Sequence, residues 1–254
     1  MTPVCLLTLL LVCTQSPTLS GGRWVLQRSV PSPDAIQAAA ADEKHLYAVN
    51  DHQVARHDRA TGKLLGVSTG AAEHLNSAWP HEGAFLLAHS NYPKKPDTSD
   101  IRRLDPTTMK LEVFHTFENP PGSLTWVIPH DGGWWCHFAH YQGENGKSLV
   151  VRYDRGWKET QRWTYPEKLV KDWDGMSLSG MVRHKGLWLG TPHTAKKLYV
   201  LDYPARGGLA EWLGEVEAPF TGQGIAPDPL TGGLVGIDRK NRQILLAEWR
   251  EGKK

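Results

Sequence analysis

Five uncharged polar side chains, Gln37, Asn76, Thr125, Ser179 and Gln223, hold one equivalent place in five segments of the chain, each after an apolar residue or glycine. Amides and hydroxyls gathered in this way would orient a hydroxyl- or amide-bearing small molecule without fixing a charge on it. They would serve equally as a hydrated channel mouth whose groups satisfy the backbone and bound water. A second polar set follows the next apolar run in later segments: His89, His140 and His193, with Asp238 in the last. Several imidazoles at one level point to a site more strongly than any one alone. Trp173 joins them because it lies in a long connection, 164–176, between Asp172 and Asp174. Two further long connections, 90–100 and 141–147, are expected to overhang the same sector, and function concentrates on loops held by a rigid frame.

Three kinds of function fit these residues. The first is binding of a small polar ligand, sugar-like or amide-bearing, at the shared mouth. The second is a metal-dependent hydrolase or lactonase, with Asn76, His89, His140 and Asp238 as ligands of a divalent metal that activates water. The third is a protein-interaction scaffold presenting Trp157, Trp163 and Trp212, although strand alternation sends most such residues into a core. Glycosidase chemistry needs carboxylates on both sides of one bond, and the inner positions carry none. There is no serine elbow, phosphate loop or zinc-helix motif. Cys136, within Trp134-Trp135-Cys136, reads as a buried thiol rather than a nucleophile.

The elements that must position these residues repeat with them. Each segment shows a short apolar strand, a tight turn, and a second strand ending on a small residue, namely Ala48, Ala88, Ala139, Gly190 or Gly236. In four segments a third strand closes on Asp58, Asp105, Asp154 or Asp202, and a fourth strand follows, the last of these spanning 208–216. An aspartate opening a turn accepts hydrogen bonds from amides just ahead, so these four read as structural. His81, His130 and His184 sit in the first turn of their segments and read as turn residues rather than a metal cluster. The fifth segment stops after its third strand, 243–249, and the unassigned strand Trp24 to Val30 would pair beside it. Small sheets at a fixed period cannot bury their faces alone and stack radially. The expectation is an all-β, five-bladed β-propeller of four-stranded antiparallel blades, its ring closed by the N-terminal strand so that no edge stays open.

The sequence of small residue, polar loop, apolar strand, Asp and then Thr-Gly, as in Val54-Ala55-Arg56-His57-Asp58 with Thr61-Gly62-Lys63, resembles the repeats of quinoprotein-like and YVTN-like bacterial secreted propellers. The resemblance runs over nearly all of 21–254. Such families include enzymes, binding proteins and scaffolds, so it implies the fold and little about function. No quinone-stacking tryptophan signature maps onto the chain.

Composition sets the remaining bounds. Of 254 residues, 40 % are apolar, with 11 Trp against 4 Met, enough rigid volume for one large core. The net charge of +2 is nearly balanced and the basic residues are scattered, which argues against nucleic acid. Residues 1–20 read as an export signal, with the apolar run Val4 to Val12 too short to span a membrane and small residues before Gly21. The mature chain, 21–254, is then expected to be a monomeric secreted or periplasmic domain without a membrane span, held without disulfides because only Cys136 remains.

Overall fold

A computed structural model of the protein describes Leu19 and residues 21–252. The expected export signal therefore lies almost wholly outside the described residues. The chain forms five small antiparallel sheets in a ring, a five-bladed β-propeller. Blade one comprises Ala38–Ala41, His45–Val49, Val54–Asp58 and Leu64–Val67. Blade two comprises His74–His81, Ala84–Ser90, Ser99–Asp105 and Lys110–Phe117. Blade three runs through Ser123–His130, Gly133–Ala139, Leu149–Asp154 and Glu159–Thr164, and blade four through Gly180–His184, Leu187–Thr191, Lys197–Asp202 and Glu211–Glu217.

Blade five is built from both ends of the chain. Ala226–Pro227, Leu234–Asp238 and Gln243–Glu251 come from the C-terminal side, and Gly22–Pro31 pairs antiparallel with the last of them. The register sets Trp24 opposite Trp249 and Val30 opposite Ile244. One blade departs from the four-stranded expectation. The stretch expected as one strand over 208–216 divides: Gly208–Leu209 pairs in parallel with Trp163 and Thr164, giving blade three a fifth short strand. Glycines at 207 and 208, with φ of +78° and +104°, turn the chain between the two blades. The connection 164–176 holds a short helix, Glu167–Asp172.

The turns follow their residues. In blades two, three and four the first hairpin has left-handed backbone at both central positions, as at Glu82 and Gly83 with φ of +46° and +73°. That is the twist-matched two-residue hairpin turn, and it explains the repeated glycine. The imidazole before each such turn packs on a tryptophan of the following blade: His81 on Trp134, His130 on Trp188 and His184 on Trp24. The aspartates closing the third strands accept amide hydrogen bonds, for instance Asp105 from Thr107 at 2.7 Å and Asp154 from Gly156 at 2.9 Å.

The core lies in the seams between blades, where most of the tryptophans are found. Trp163 is buried, stacked on Trp135 at 4.6 Å, and donates from Nε1 to the Pro204 carbonyl. Trp212 is half-buried and meets Tyr199 edge-on. Trp157 is held in a ring stack between His115 and Trp134. The three tryptophans considered for a scaffold surface thus pack into seams rather than form one exposed patch. Cys136 is buried, and burial pushes its thiol pKa well up, so it stays protonated and inert. Among the described residues no helix is long and apolar enough to cross a membrane.

Candidate functional site

The five polar residues of the inner ring lie at one end of the propeller, where the first strands begin. Three of them, Gln37, Ser179 and Gln223, precede their strands, whereas Asn76 and Thr125 lie inside theirs. Each of those two strands slips register at that point, between Leu75 and Ala78 and between Leu124 and Trp126. A bulge re-aims a side chain out of the alternation, which frees Asn76 and Thr125 to reach the next blade.

What they reach is a belt of hydrogen bonds that runs once around the axis. Gln37 and His74 both bind Asp51 Oδ1, at 2.8 and 2.7 Å, joining blade one to blade two. Asn76 Nδ2 donates to the Leu124 carbonyl at 3.0 Å, and Thr125 Oγ1 donates to the Leu178 carbonyl at 3.0 Å. Thr191 Oγ1 donates to the Gln223 carbonyl at 2.5 Å, and the Gly224 amide donates to the Gln37 carbonyl at 2.8 Å, closing the ring. Two interblade serine pairs lie alongside, Ser123 on Ser90 and Ser177 on Ser148, each at 2.9 Å.

The expected open channel is shut at this level. A Cβ built on Gly224 would stand 2.6 Å from Ala38 Cβ and 3.1 Å from Ser77 Cα, so blade five meets blades one and two across the axis. A Cβ on Gly180 would lie 2.8 Å from each of three backbone atoms of Gln223, Gly224 and Ile225. Small residues at the hub let five inner strands approach closely enough to bond directly, which a water-filled bore would prevent.

The second set divides between fasteners and a cavity. His89 is buried; its Nε2 accepts from the Glu73 amide at 2.9 Å, so Nδ1 carries the proton and donates to Asp100 at 3.0 Å. Burial works to raise the Asp100 pKa, but hydrogen bonds from His89 and Arg102 outweigh it and hold the carboxyl below its ordinary value. Asp238 accepts from the amide and side chain of Asn241 at 3.1 and 2.8 Å, as a turn residue does. The His193 carbonyl accepts from Gln223 Nε2, and burial, then the Arg239 charge, lower the His193 pKa. Trp173 is buried in the seam between blades three and four, edge-on to Tyr165, and does not overhang a cleft. The four side chains considered as metal ligands do not meet: among the described residues no three His, Cys, Asp or Glu groups are placed to hold a metal ion. His89 has both ring nitrogens engaged and Asp238 both carboxylate oxygens, and Asn76 is turned toward blade three by its Nδ2 bond to the Leu124 carbonyl.

His140 is the exception. Its Nε2 donates to the Pro121 carbonyl at 2.6 Å, and the ring lines a cavity of about 310 Å³ with Tyr92, Lys95, Asp97, Ser123 and Tyr141. The Tyr92 and Tyr141 rings meet at 4.7 Å, and burial pushes the Tyr141 phenol pKa well up, so it remains a neutral donor. The rim charges are matched, Lys95 by Asp97 within the rim at 2.5 Å and Glu144 by Lys147 just outside it. The three long loops touch one another here. Tyr92 meets Tyr141, the Gln142 amide donates to the Gly175 carbonyl, and Asn145 Nδ2 donates to the Val170 carbonyl at 3.3 Å. Sequence reasoning named His140 and began the long connection 141–147 at Tyr141, but did not name Tyr92, because nothing in the order of residues marks two loops on different blades as neighbours.

His137, absent from the sequence-derived set, is the most perturbed imidazole. It is fully buried beneath Trp126, with Nδ1 at 2.8 Å from Thr125 Oγ1; as that hydroxyl donates to Leu178, the imidazole donates to the hydroxyl. Burial, then the His140 charge, bring its pKa down to about 3, against about 6.5 for a free imidazole. Between those values the unfolded chain binds a proton that the folded chain refuses. The stability present above pH 6.5 is therefore lost as pH falls, by about 1.4 kcal/mol per unit for this group. Denaturant midpoints should fall steadily below about pH 6.5, and His137→Gln should flatten that slope. An equal slope in both proteins would contradict the assignment.

No family model matches the chain, and no curated protein matches it in sequence. Solved structures do resemble it. Glutaminyl cyclase from Myxococcus xanthus superposes with a TM-score of 0.59 at 10 % identity, over 91 % of this chain and 97 % of its own. An auxiliary nutrient binding protein from Bacteroides thetaiotaomicron gives 0.49 at 14 % identity, over 85 % of this chain and 69 % of its own. At 10 % identity the likeness to the glutaminyl cyclase bears on the fold alone, in agreement with the five sheets of this chain.

Proposed function

We propose that the protein binds a small, uncharged, hydroxyl- or amide-bearing molecule in the cavity of His140, Tyr92 and Tyr141, beside the closed polar ring. The observation that carries this reading is the self-neutralised rim. With Lys95 matched to Asp97 and Glu144 to Lys147, the cavity offers hydroxyls, an imidazole and aromatic faces but no unbalanced charge. Its volume of about 310 Å³ suits a ligand of roughly monosaccharide size. Gln37, Asn76, Thr125 and Gln223, with His89, His193 and Asp238, then act mainly by holding strands and loops in place, while Ser179, among the described residues, bonds only through its backbone amide, to the Thr191 carbonyl of its own blade at 3.1 Å.

Calorimetric titration with neutral sugars, amides and glutaminyl compounds tests the proposal, the last because the Myxococcus xanthus neighbour is a glutaminyl cyclase. A compound that binds should lose about tenfold or more in affinity to Tyr92→Ala combined with His140→Ala, the order expected for losing two ligand-contacting groups. Unchanged affinity in that variant, or no heat from any neutral compound, would reject the site. Product analysis of lactone and ester mixtures on the same samples separates turnover from binding.

A further inference from the structure

The strands that carry the His140 cavity present a second one at their other end. Ser123 and Ala139 pair at the first end of blade three and His130 and Gly133 at the opposite end. There a cavity of about 560 Å³ opens between blades two and three, lined by Phe114, Trp134, His81, Glu82, Asp131 and Arg155. Its wall is unusually well supported. Trp134 stacks on Trp157 at 4.8 Å with rings 4° from parallel, and Trp157 stacks on His115 at 3.7 Å and 5°. Trp157 stands at φ +65°, a backbone region that bulky residues avoid, so the turn after Asp154 bears a strain that the stack must offset. Trp134 Nε1 is buried without a hydrogen-bond partner among the described residues, and Phe114 leaves 38 % of its surface exposed beside it.

The charges at this cavity differ in kind from those at the other end. Glu82 and Asp131 are mostly exposed, at 85 % and 65 % of their side chains; their carboxylates lie beside imidazoles at 3.8 and 3.1 Å, and Arg152 donates to the Asp131 carbonyl at 3.0 Å rather than to its carboxylate. Arg155 lies exposed on the rim. Aromatic faces flanked by free carboxylates attract an organic cation, and an unencumbered guanidinium attracts an anion.

We propose that this cavity binds a zwitterionic organic ammonium compound, its ammonium held by Phe114 and Trp134 between Glu82 and Asp131 and its anionic group held by Arg155. The site is independent of the one above, since the two lie at opposite ends of the same strand pair. The test is calorimetry on the intact protein with phosphocholine, choline and the neutral alcohol in which carbon replaces choline's nitrogen. Phosphocholine should bind, choline should bind about tenfold more weakly, and the carbon analogue should give no heat. Phe114→Ala, and separately Glu82→Gln with Asp131→Asn, should each cost about tenfold, while Arg155→Ala should reduce phosphocholine to the level of choline. All these positions are exposed or half-exposed, and circular dichroism confirms that each variant is folded. Binding of the carbon analogue as tight as choline, or no binding of phosphocholine to the folded protein, would overturn the proposal.

Discussion

Replacing Gly180 with alanine is expected to destabilise the protein by about 3 kcal/mol or more, a large part of the stability of an ordinary domain. The added methyl would stand 2.8 Å from each of Gln223 O, Gly224 Cα and Ile225 N. None of these is the movable end of a side chain, so relief requires blade four to retreat from blade five. Doing so would stretch the Thr191 to Gln223 bond that joins the same two blades. Gly143→Ala is the matched control, because a Cβ there meets nothing within 4 Å. Urea unfolding of the two variants measures the difference, and equal midpoints would mean that the inner strands do not converge as described.

A chain lacking residues 22–31 should fail to fold to a soluble monomer. That strand supplies the fourth member of blade five, buries Trp24 and Val30 at 3 % exposure each, and covers the whole of Gln243–Glu251. Two large buried side chains account for about 3–6 kcal/mol, before the ladder is counted. The loss approaches the entire stability of a typical domain and leaves a nine-residue edge open to association. Size-exclusion chromatography with circular dichroism reads the outcome. A monomeric, cooperatively unfolding product would show that the C-terminal strands close the ring by themselves.

Much of this architecture is legible in the order of residues, because turns and small residues carry their reasons locally. The His-x-Gly turns, the Asp-led turns and the small residue late in each second strand all recur where the backbone needs them. Gly236, where a Cβ would meet Phe220 at 2.6 Å, is one such position. The pairing of Trp24 to Val30 with the last strand follows from an unfilled edge. The division of 208–216 between two blades does not, since it depends on a parallel contact with Trp163 that no local signal encodes.

The site was legible in composition but not in use. Five polar residues at one level follow from the repeat, whereas their direction depends on bulges at Asn76 and Thr125 that turn side chains toward neighbouring carbonyls. Trp173 stands among acidic residues in sequence and yet packs inward on Tyr165, because the short helix before it faces the seam. Tyr92 and Tyr141 lie 49 positions apart, and only the stacking of blade two against blade three makes them one wall.

The central claim is that the inner polar ring fastens the blades to one another instead of lining a water-filled bore. Thr125→Val tests it most directly, keeping the shape of the side chain while removing the hydroxyl between His137 and Leu178. Equilibrium unfolding should show a loss of about 1–3 kcal/mol, the cost of leaving a buried imidazole N–H and a carbonyl unpaired. A change within about 0.5 kcal/mol would mean that water already satisfies those groups and that the hub is open.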